Sequence, residues 1–501
     1  IIVNVVIRFG GDIVKFAGDA LFAEWRVSEE ENNVSNEKET LSICVMTASI
    51  CGATIVAKCS EYPIFIQGKE IDLTLNVHCG ISCGKIVSIH VGDNTLRREY
   101  LILGEVVEKV SEAAACASIG EIACCSESIV HLSRTCTFHQ SILETATSQG
   151  ITVIGRRSQS LFTPAPKYEQ QTKKMLAQHD PLRNGVLRLV SNLNIDKLLR
   201  FKKLLSLYAH PVISNSYAAD ATLEGDTMLM GVNKLEEAEL RNVFVMFITP
   251  LINLSWSGDE QQNLQFYVTL NSIMNIVTKE LSRLGGHLRQ FIMDDKGLVL
   301  IATFGLRGST FHNLVAERAL PAAIKIRNCL STELNVKSRI GATLGKAYCG
   351  VIGGHKRHEY AILGPSVNLA ARLMACKKNP GILVNKQIWM MADSSYEFNT
   401  LTPIHAKGYL DLVEVFQPLS SLQKRWGKLK SKFVGRTGEL SDLAQLAYEM
   451  AVSPSKTQSK LVLISGVSGM GKSAFVLQLI DQVKRKLEPP HKNIFISKYA
   501  V

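Results

Sequence analysis

The sequence predicts a mixed α/β (α+β) fold in which one domain type occurs twice and a strand–loop–helix unit follows. Residues 97–104 return, slightly changed, as residues 356–364, and their final glycines lie 260 positions apart (364 − 104). Residues 10–16 return in the same order as residues 285–291. Two pairs of similar segments in the same order indicate that one domain type is duplicated. An apolar run at 461–465, followed at once by a glycine-rich stretch, predicts the third unit.

Size and composition indicate a globular protein of several domains. The 501 residues suffice for roughly three domains. A hydrophobic content of 46% with 20% charged residues excludes a disordered chain. The net charge of +11 comes partly from a basic run: Lys424, Arg425, Lys428, Lys430, Lys432 and Arg436. A solvated linker explains this run better than an anionic partner surface, and without an aromatic-interleaved basic stripe we predict no nucleic-acid binding.

Cysteine usage and hydropathy predict a protein of a reducing compartment. Nine of the twelve cysteines precede residue 140 and none forms a Cys-x-x-Cys pair, which favours free thiols. Residues 41–57 carry no charge but fall short of a membrane span, so a buried helix is predicted. No signal peptide is evident, which predicts a cytoplasmic location. The chain starts without Met and ends just past a motif, so we expect a fragment at both ends.

Residues 5–25 predict a β-hairpin. Two apolar runs flank Ala17-Gly18-Asp19, which is a hairpin signal. A hairpin tip carries the Asp19 carboxylate beyond the sheet, where oxygen ligands could bind a hard cation. An ordinary turn residue is the simpler alternative, and the residues alone favour it.

Residues 360–372 predict a strand, a break and a helix. Residues 360–363 are a short apolar run, residues 364–366 interrupt it, and from Val367 good helix formers follow. Asn368 and Arg372 are four apart, so they share one face of this helix. An amide can fix a sugar and a guanidinium can hold charge on a phosphate. From spacing alone, two solvated surface residues remain the simpler alternative.

The third unit carries a complete phosphate-binding loop between a strand and a helix. Its residues are Gly466, Gly469, Gly471, Lys472 and Ser473. Backbone amides of such a loop cradle phosphates, the lysine reaches the β- and γ-phosphates, and the serine holds Mg²⁺. The sequence therefore predicts a nucleotide site here, at the start of a P-loop NTPase domain.

The two copies differ where the candidate site would lie. The first copy has Glu108 and Glu112 where the second has Asn368 and Arg372. Carboxylates there would repel a triphosphate, so the first copy cannot supply this half of a site. The strand at 243–248, which opens the second copy, carries no Asp. We therefore predict one productive site at the interface of a pseudo-twofold pair.

Two motifs resemble those of the class III nucleotidyl cyclases. Residues 362–372 read Ile-Leu-Gly-x-x-Val-Asn-x-Ala-Ala-Arg, which resembles the family signature, and residues 15–21 resemble its second metal site, Lys-Phe-x-Gly-Asp-x-Leu. The twin copies and a following P-loop region, opened by Gly-Arg-x-x-Glu-Leu at 435–440, are similar to the soluble, bicarbonate-responsive adenylyl cyclases of animals. The resemblance implies two ferredoxin-like domains that pair within the chain.

The boundaries follow from the repeats and the linkers. They are residues 1–162 for the first cyclase domain, 163–241 for a connector, 242–418 for the second cyclase domain, 419–432 for the basic linker and 433–501 for the P-loop domain.

The resemblance also implies an activity, a cofactor and roles for individual residues. ATP would become 3′,5′-cyclic AMP and pyrophosphate with two Mg²⁺ ions, for which Mn²⁺ can substitute. Asp19 would ligate both ions, and the family's other metal Asp belongs to a strand that would precede residue 1. Asn368 would orient the ribose and Arg372 would stabilise the transition state. The implied ATP contacts are Asp19, His78, Ile362, Asn368, Leu369, Ala370, Ala371 and Arg372.

The sequence departs from the family at the base and phosphate contacts. Gln290 stands where an adenine-reading Lys is expected, and Ala361 replaces the accompanying Thr. The Glu/Cys pair of guanylyl cyclases is absent as well. His78 replaces a phosphate-contacting Lys and is a weaker cation at neutral pH. An alternative function is therefore a degenerate cyclase pair that binds nucleotide as a signalling scaffold on the P-loop NTPase.

The bicarbonate pocket implied by the resemblance is also altered. Lys15 matches the family's bicarbonate-binding Lys, and Ile102 replaces a Val that lines the pocket. The bicarbonate-binding Arg is Ser111 in this chain. Since a bidentate anion clamp is lost, we predict a reduced or absent response to bicarbonate.

Overall fold

The structure is a computed structural model. It describes residues 1–18, 20–27, 37–66, 69–139, 150–156, 159–178, 194–209, 238–252, 259–294, 297–306, 314–354, 357–421 and 435–452, and short pieces between 462 and 483. The chain divides into two compact units, Ile1–Ser421 and Leu422–Val501.

Helices and strands alternate through the larger unit. The helices are α1 Ile2–Arg8, α2 Glu37–Cys59, α3 Glu105–Cys116, α4 Ser126–Thr135, α5 Pro166–Gln178, α6 Ile195–Ser206, α7 Glu260–Leu284, α8 Leu320–Leu334, α9 Pro365–Ala375 and α10 Lys386–Ala392. A π-helical turn, Leu314–Ala319, leads into α8. In the smaller unit, α11 Thr437–Val452 packs through Ala444 against Val483.

The strands up to the connector are β1 Asp12–Ala17, β2 Ala20–Glu24, β3 Tyr62–Ile66, β4 Lys69–Leu75, β5 Cys79–Ile81, β6 Val87–Gly92, β7 Arg98–Leu103, β8 Glu121–Cys124, β9 Cys136–Phe138, β10 Thr152–Arg156, β11 Gln159–Ser160 and β12 Phe162–Pro164. The strands that follow are β13 Glu239–Pro250, β14 His287–Asp294, β15 Gly297–Phe304, β16 Ser338–Gly354, β17 Arg357–Leu363, β18 Ile382–Asn385, β19 Tyr396–Thr400 and β20 Val415–Ser421.

The part of the larger unit from 239 to 421, called the second region below, is built on one sheet. Its strands lie in the order β14-β15-β13-β16-β18-β20-β19, and β17 pairs with β16. The predicted strand at 243–248 is the middle of β13, which pairs with β16 along its whole length, from Glu239 opposite Cys349 to Pro250 opposite Ser338. Helices α7 and α8 bury residues such as Phe266 and Ile326 in the core of this region.

The part from 1 to 164, called the first region, contains smaller sheets. Strands β11, β10, β8 and β5 form one sheet, in which β5 and β8 are parallel. The pairs β1–β2, β3–β4, β6–β7 and β9–β12 are antiparallel. The predicted hairpin is confirmed, because Ala17 pairs with Ala20 across a two-residue turn. Asp19 lies outside the described residues.

The same glycine geometry occurs at the start of both regions. Gly10 and Gly285 follow a helix in left-handed conformations, with φ of 71° and 77°. The next glycine packs against an aromatic ring at the end of the hairpin that follows. A Cβ on Gly11 would lie 2.6 Å from Cζ2 of Trp25, and one on Gly286 would lie 2.3 Å from Cζ of Phe304. Glycine is therefore required at both places to bring helix and hairpin together.

A close helix–strand contact also occurs in both regions. A Cβ on Gly80 of β5 would lie 2.5 Å from the backbone nitrogen of Ala114 in α3. A Cβ on Gly341 of β16 would lie 2.1 Å from the backbone nitrogen of Met374 in α9. Both helices therefore rest directly on strand backbone.

The hairpin β6–β7 packs against the second region. Val91, Leu101 and Leu103 belong to the same buried cluster as α7 and α8. The backbone nitrogen of Gly92 donates to Oδ1 of Asn271 in α7 at 2.8 Å. Apolar burial and a specific hydrogen bond thus join the two regions.

Two strand and helix predictions need correction. For residues 73–81 the sequence predicts one strand, but the structure has two, because β4 pairs with β3 whereas β5 pairs with β8. Asn76 lies in the break, where its side-chain oxygen accepts from the backbone nitrogen of Glu61 at 2.9 Å. The helix predicted from Val367 begins two residues earlier, at Pro365, which occupies the first turn. The fixed φ of proline suits that position.

The apolar run at 41–57 lies within α2. Among the described helices, Lys38–Cys59 has the length and hydropathy of a membrane span, with a mean hydropathy of 1.9. Its side chains nevertheless enter the protein core: Val45, Met46 and Val56 are buried beside Ile122 of β8. The prediction of a buried helix is thus confirmed. In the connector, residues 187–207 have helical periodicity in the sequence. Of this stretch, residues 194–207 are described and contain α6.

Candidate functional site

The turn from β17 into α9 places Asn368 and Arg372. Gly364 joins the strand to the helix with φ of 151°, in the range that favours glycine. Ser366 fixes the first turn of α9, because its hydroxyl donates to the carbonyl of Lys346 at 3.0 Å and its own carbonyl accepts from Thr343 at 2.8 Å. The helix therefore leaves the sheet in a defined direction.

Asn368 and Arg372 lie on the accessible side of α9. Asn368 is exposed and Arg372 is half-buried. Leu369 and Ala370 between them are buried, so only their backbone can face a ligand. Ala371 is half-buried, and Ile362 of β17 is only 7% exposed within the apolar cluster under the helix. An amide and a cation thus project together from an apolar support.

A loop at 406–409 lies next to Arg372. A Cβ on Gly408 would lie 3.7 Å from Nη1 of Arg372. The hydroxyl of Tyr409 donates to the carbonyl of Pro365 at 3.1 Å, which ties the loop to the start of α9. Burial raises the pKa of Tyr409, and the positive charge of Arg372 opposes that rise. Neighbouring Lys407 is exposed, and it is a second candidate cation that the sequence analysis missed.

The hairpin β1–β2 reaches the second region through Gln290. The side-chain nitrogen of Gln290 in β14 donates to the carbonyl of Phe16, three residues before Asp19. The same nitrogen donates to Oε1 of Glu359 in β17 at 3.4 Å. Arg289 forms an ion pair with that carboxylate. One polar cluster therefore contacts both the hairpin and the strand that leads into α9.

His78 and the P-loop residues are not brought to α9 by the described contacts. His78 is exposed in the short segment between β4 and β5. No hydrogen bond or ion pair in the described part of the chain joins it to α9. Gly466, Gly469, Gly471, Lys472 and Ser473 lie outside the described residues, as does Asp19.

A cavity of about 250 Å³ lies inside the first region. Lys15 and Ile102 line it, and Lys15 is the one cation in the described part of its wall. The Lys15 ammonium lies 4.9 Å from the ring centroid of Phe22. Ser111 is not part of the described wall, and its hydroxyl donates to the carbonyl of Val107 at 3.2 Å. The structure thus brings together two of the three residues of the implied bicarbonate pocket.

Four cysteines also line this cavity, and their thiols are neutral at physiological pH. Burial raises the pKa of Cys44 to about 11 and those of Cys51 and Cys79 to about 12. Cys83 is the fourth. The wall is therefore mainly apolar around the Lys15 cation and the Glu24 carboxylate.

Comparison with known proteins identifies relatives of this chain. Residues 298–417 match the family described as adenylate and guanylate cyclase catalytic domain. Adenylate cyclase type 10 of Rattus norvegicus is 25% identical over 503 residues, covering 95% of this chain and 28% of that protein. The same enzyme of Oryctolagus cuniculus is 26% identical over 506 residues, with the same coverage. The chain therefore spans about 28% of the length of these relatives.

Among solved structures, the adenylyl cyclase CyaB from P. aeruginosa is similar with 21% identity and a TM-score of 0.34, covering 37% of this chain and 98% of that chain. The family match and the relatives confirm the predicted resemblance to the class III cyclases. The matched range contains Asn368 and Arg372, whereas Lys15, Asp19 and Gln290 precede it.

Proposed function

We propose that this chain belongs to an adenylate cyclase that converts ATP into 3′,5′-cyclic AMP and pyrophosphate. The observation that carries the proposal is the pair on α9: exposed Asn368 and half-buried Arg372, on a helix inside the range that matches a cyclase catalytic domain. Neither side chain is needed for the core. A guanidinium beside an amide suits a nucleoside triphosphate.

The two regions contribute complementary halves of the site in this proposal. Residues 1–162 and 242–418 are a pseudo-twofold pair of cyclase domains, joined by the connector 163–241. The first supplies Asp19 at the tip of the hairpin, and the second supplies Asn368 and Arg372. The hydrogen bond from Gln290 to Phe16 supports this arrangement, because it links the hairpin to the second region.

The chemistry follows from charge. The ribose 3′-oxygen attacks the α-phosphorus, the bond to the bridging oxygen breaks, and pyrophosphate leaves. Asn368 orients the ribose, and Arg372 stabilises the negative charge that develops on the α-phosphate oxygens. The Arg372 contribution is about 3 kcal/mol if it acts like other transition-state donors.

Asp19 is the proposed metal ligand, since it lies in the sequence between β1 and β2 and a carboxylate oxygen is the donor that Mg²⁺ prefers. Two Mg²⁺ ions, or Mn²⁺ in their place, would lower the pKa of the 3′-hydroxyl and neutralise the pyrophosphate charge. The described residues contain no cluster of three or more His, Cys, Asp or Glu side chains that could hold a metal ion.

The remaining contacts are proposed in the same terms. His78 faces the phosphates as a weaker cation, and Ile362 lies against the base. Leu369, Ala370 and Ala371 act through backbone and packing.

The loop formed by Gly466, Gly469, Gly471, Lys472 and Ser473 binds a second nucleotide in a P-loop domain at 433–501, after the linker 419–432. All twelve cysteines are free, which supports a reducing, intracellular location.

Cyclic nucleotide production tests the proposal. The purified chain is incubated with ATP or with GTP, in Mg²⁺ or Mn²⁺, and compared with Asp19→Ala and Arg372→Ala. We expect cyclic AMP from the wild type and a loss of about 100-fold or more in either variant. Binding of ATP without turnover would support the second candidate, a nucleotide-binding scaffold. The position of His78 favours that candidate, since it is exposed and no described hydrogen bond or ion pair joins it to α9.

A further inference from the structure

We propose that Gln290 is a positioning residue, which holds the hairpin β1–β2 against the second region, and that metal activation through the proposed ligand Asp19 depends on this contact. The proposal deepens the function given above and rests on it. It also assigns Gln290 a role different from the one that the family resemblance implies, because the family has an adenine-reading Lys at this position.

The first argument is the engagement of the Gln290 amide. A carboxamide nitrogen has two hydrogens to donate. In this chain the nitrogen donates to the carbonyl of Phe16 and, at 3.4 Å, to Oε1 of Glu359. Both hydrogens are therefore directed at protein acceptors, and Gln290 has no further N–H for the acceptor atoms of a base.

The second argument is that the hairpin belongs to no larger sheet. Among the described strands, β1 and β2 pair only with each other. Apolar packing against α1 and α2 holds one side of the hairpin, through residues such as Ile13 and Trp25. The hydrogen bond from Gln290 adds a contact with the second region at Phe16, the penultimate residue of β1 and three positions before Asp19 in the chain.

The third argument is that the contacts of Gln290 extend through Glu359 to α9. Glu359 accepts from Gln290 and pairs with Arg289, so its carboxylate is fixed between two side chains of β14. Glu359 lies in β17, the strand that passes through Gly364 into α9. A short path of contacts thus runs from the hairpin through Gln290 and Glu359 to the helix of Asn368 and Arg372.

The two roles predict different kinetics. A positioning residue sets how well the metal site forms, so its loss weakens metal activation equally for both nucleotides. A base-reading residue sets the preference between ATP and GTP, so its loss changes their ratio. Measuring both quantities separates the roles.

The experiment uses Gln290→Leu, Gln290→Glu and Gln290→Lys, with exposed Gln265→Leu on α7 as the matched control. Leu and Glu remove the amide donors, whereas Lys keeps a donor facing Phe16 and Glu359. We expect the half-saturating Mn²⁺ concentration to rise about 3- to 10-fold in the Leu and Glu variants, the range of a typical lost hydrogen bond. We expect Gln290→Lys and Gln265→Leu to stay within about twofold of the wild type. The ratio of ATP to GTP turnover should remain unchanged in all four.

A second readout does not depend on turnover. Amide hydrogen exchange of residues 12–24 should be faster in Gln290→Leu and Gln290→Glu than in the wild type and in Gln265→Leu. Unchanged exchange, or an altered ATP to GTP ratio with unchanged Mn²⁺ dependence, would overturn the proposal. If the wild type makes no cyclic nucleotide, the proposed function fails, while faster exchange would still establish the positioning contact.

Discussion

Helices α3 and α9 follow a glycine turn in the same way, yet they present opposite charge. Gly104 with φ of 127° precedes α3, and Gly364 with φ of 151° precedes α9. At matching positions α3 has exposed Glu108 and Glu112, whereas α9 has Asn368 and Arg372. Carboxylates repel a triphosphate, whereas in the proposed function the Arg372 guanidinium holds its charge and the Asn368 amide holds its sugar. The local backbone is common to both regions, and side chains at two positions of the helix separate their chemistry.

The residue that follows Glu108 in α3 and the residue that follows Asn368 in α9 also differ, in how they pack. Lys109 in α3 lies outside the core, where it pairs with Glu105 at 3.0 Å and with Glu127 at 2.5 Å. Its counterpart in α9 is Leu369, which is 5% exposed in an apolar cluster with Val415. In the second region the helix is therefore covered by the 401–415 segment, which brings Gly408 beside Arg372.

The largest effect should come from giving α9 the charge of α3. Arg372→Glu should lower cyclic AMP production about 1000-fold or more, because it removes a cation that stabilises the transition state and adds repulsion. The matched change Glu112→Ala in α3 should alter the rate by less than about twofold, since α3 carries no part of the proposed site. The measurement is the initial rate at saturating ATP and Mn²⁺, with unfolding midpoints to establish that both variants fold.

Equal losses in the two variants would contradict the assignment of roles. So would a substantial rate in Arg372→Glu, because the site would then not depend on a cation in α9.

The next largest effect concerns the close contacts under both helices. Gly341→Ala places a methyl group 2.1 Å from the backbone nitrogen of Met374, and Gly80→Ala places one 2.5 Å from that of Ala114. Neither backbone atom can move without its helix, so each change should reduce the free energy of unfolding by about 1–3 kcal/mol, with Gly341→Ala the larger. Urea unfolding followed by circular dichroism measures it.

Gly52→Ala in α2 is the control for these two variants. Its methyl group would meet Ile122 Cγ2 at 3.6 Å, an ordinary contact. Because alanine favours a helix, this variant should be as stable as the wild type or up to about 1 kcal/mol more stable. A loss in Gly52→Ala equal to that in Gly341→Ala would show that close approach is not the cause.

The glycines explain why much of the fold could be predicted from the sequence. Gly104 and Gly364 end two similar apolar runs, and each marks a strand-to-helix turn in the structure. Such turns depend on local backbone preferences, which the sequence displays directly. The split of the 73–81 stretch could not be predicted, because it depends on which distant strand, β3 or β8, pairs with each half.

The candidate site was predictable only where its residues form a contiguous motif. The spacing of Asn368 and Arg372 places them on one helix face, but the motif at 362–372 is what singles them out as site residues. The contact between Gln290 and Phe16 joins residues 274 positions apart, and nothing local indicates it. Lys407 was missed for the same reason, because only the packing of its loop brings the neighbouring Gly408 to Arg372.

A smaller effect is expected from breaking the ion pair between Lys109 of α3 and Glu127. The hydrogen bond from Lys109 lowers the pKa of Glu127 to about 2. Because the folded-state pKa is depressed, the carboxylate stabilises the fold above its ordinary pKa of about 4.3, and this contribution is lost as the pH falls toward 2. Lys109→Met should raise the Glu127 pKa and cost about 0.2–1 kcal/mol at pH 7, since Glu127 is exposed and Lys109 is only half-buried.

NMR titration of Glu127 and unfolding at pH 7 and pH 3 measure this. The destabilisation by Lys109→Met should be smaller at pH 3 than at pH 7. Leu369→Met at the matching position of α9 is the control, because it has no ionisable group and its effect should not follow the Glu127 titration.

The smallest effect is expected from bicarbonate. In the cavity of the first region, Lys15 is the one cation in the described wall, and the Ser111 hydroxyl is engaged by the carbonyl of Val107. A single ammonium over the Phe22 ring lacks the paired donors that hold a planar anion. Bicarbonate at physiological concentration should therefore change the rate of cyclic AMP formation by less than about twofold, or about 0.4 kcal/mol. Ser111→Arg should increase the response, and Ser133→Arg on α4 is the control for added surface charge. Strong activation of the wild type would show that Lys15 suffices as the anion site.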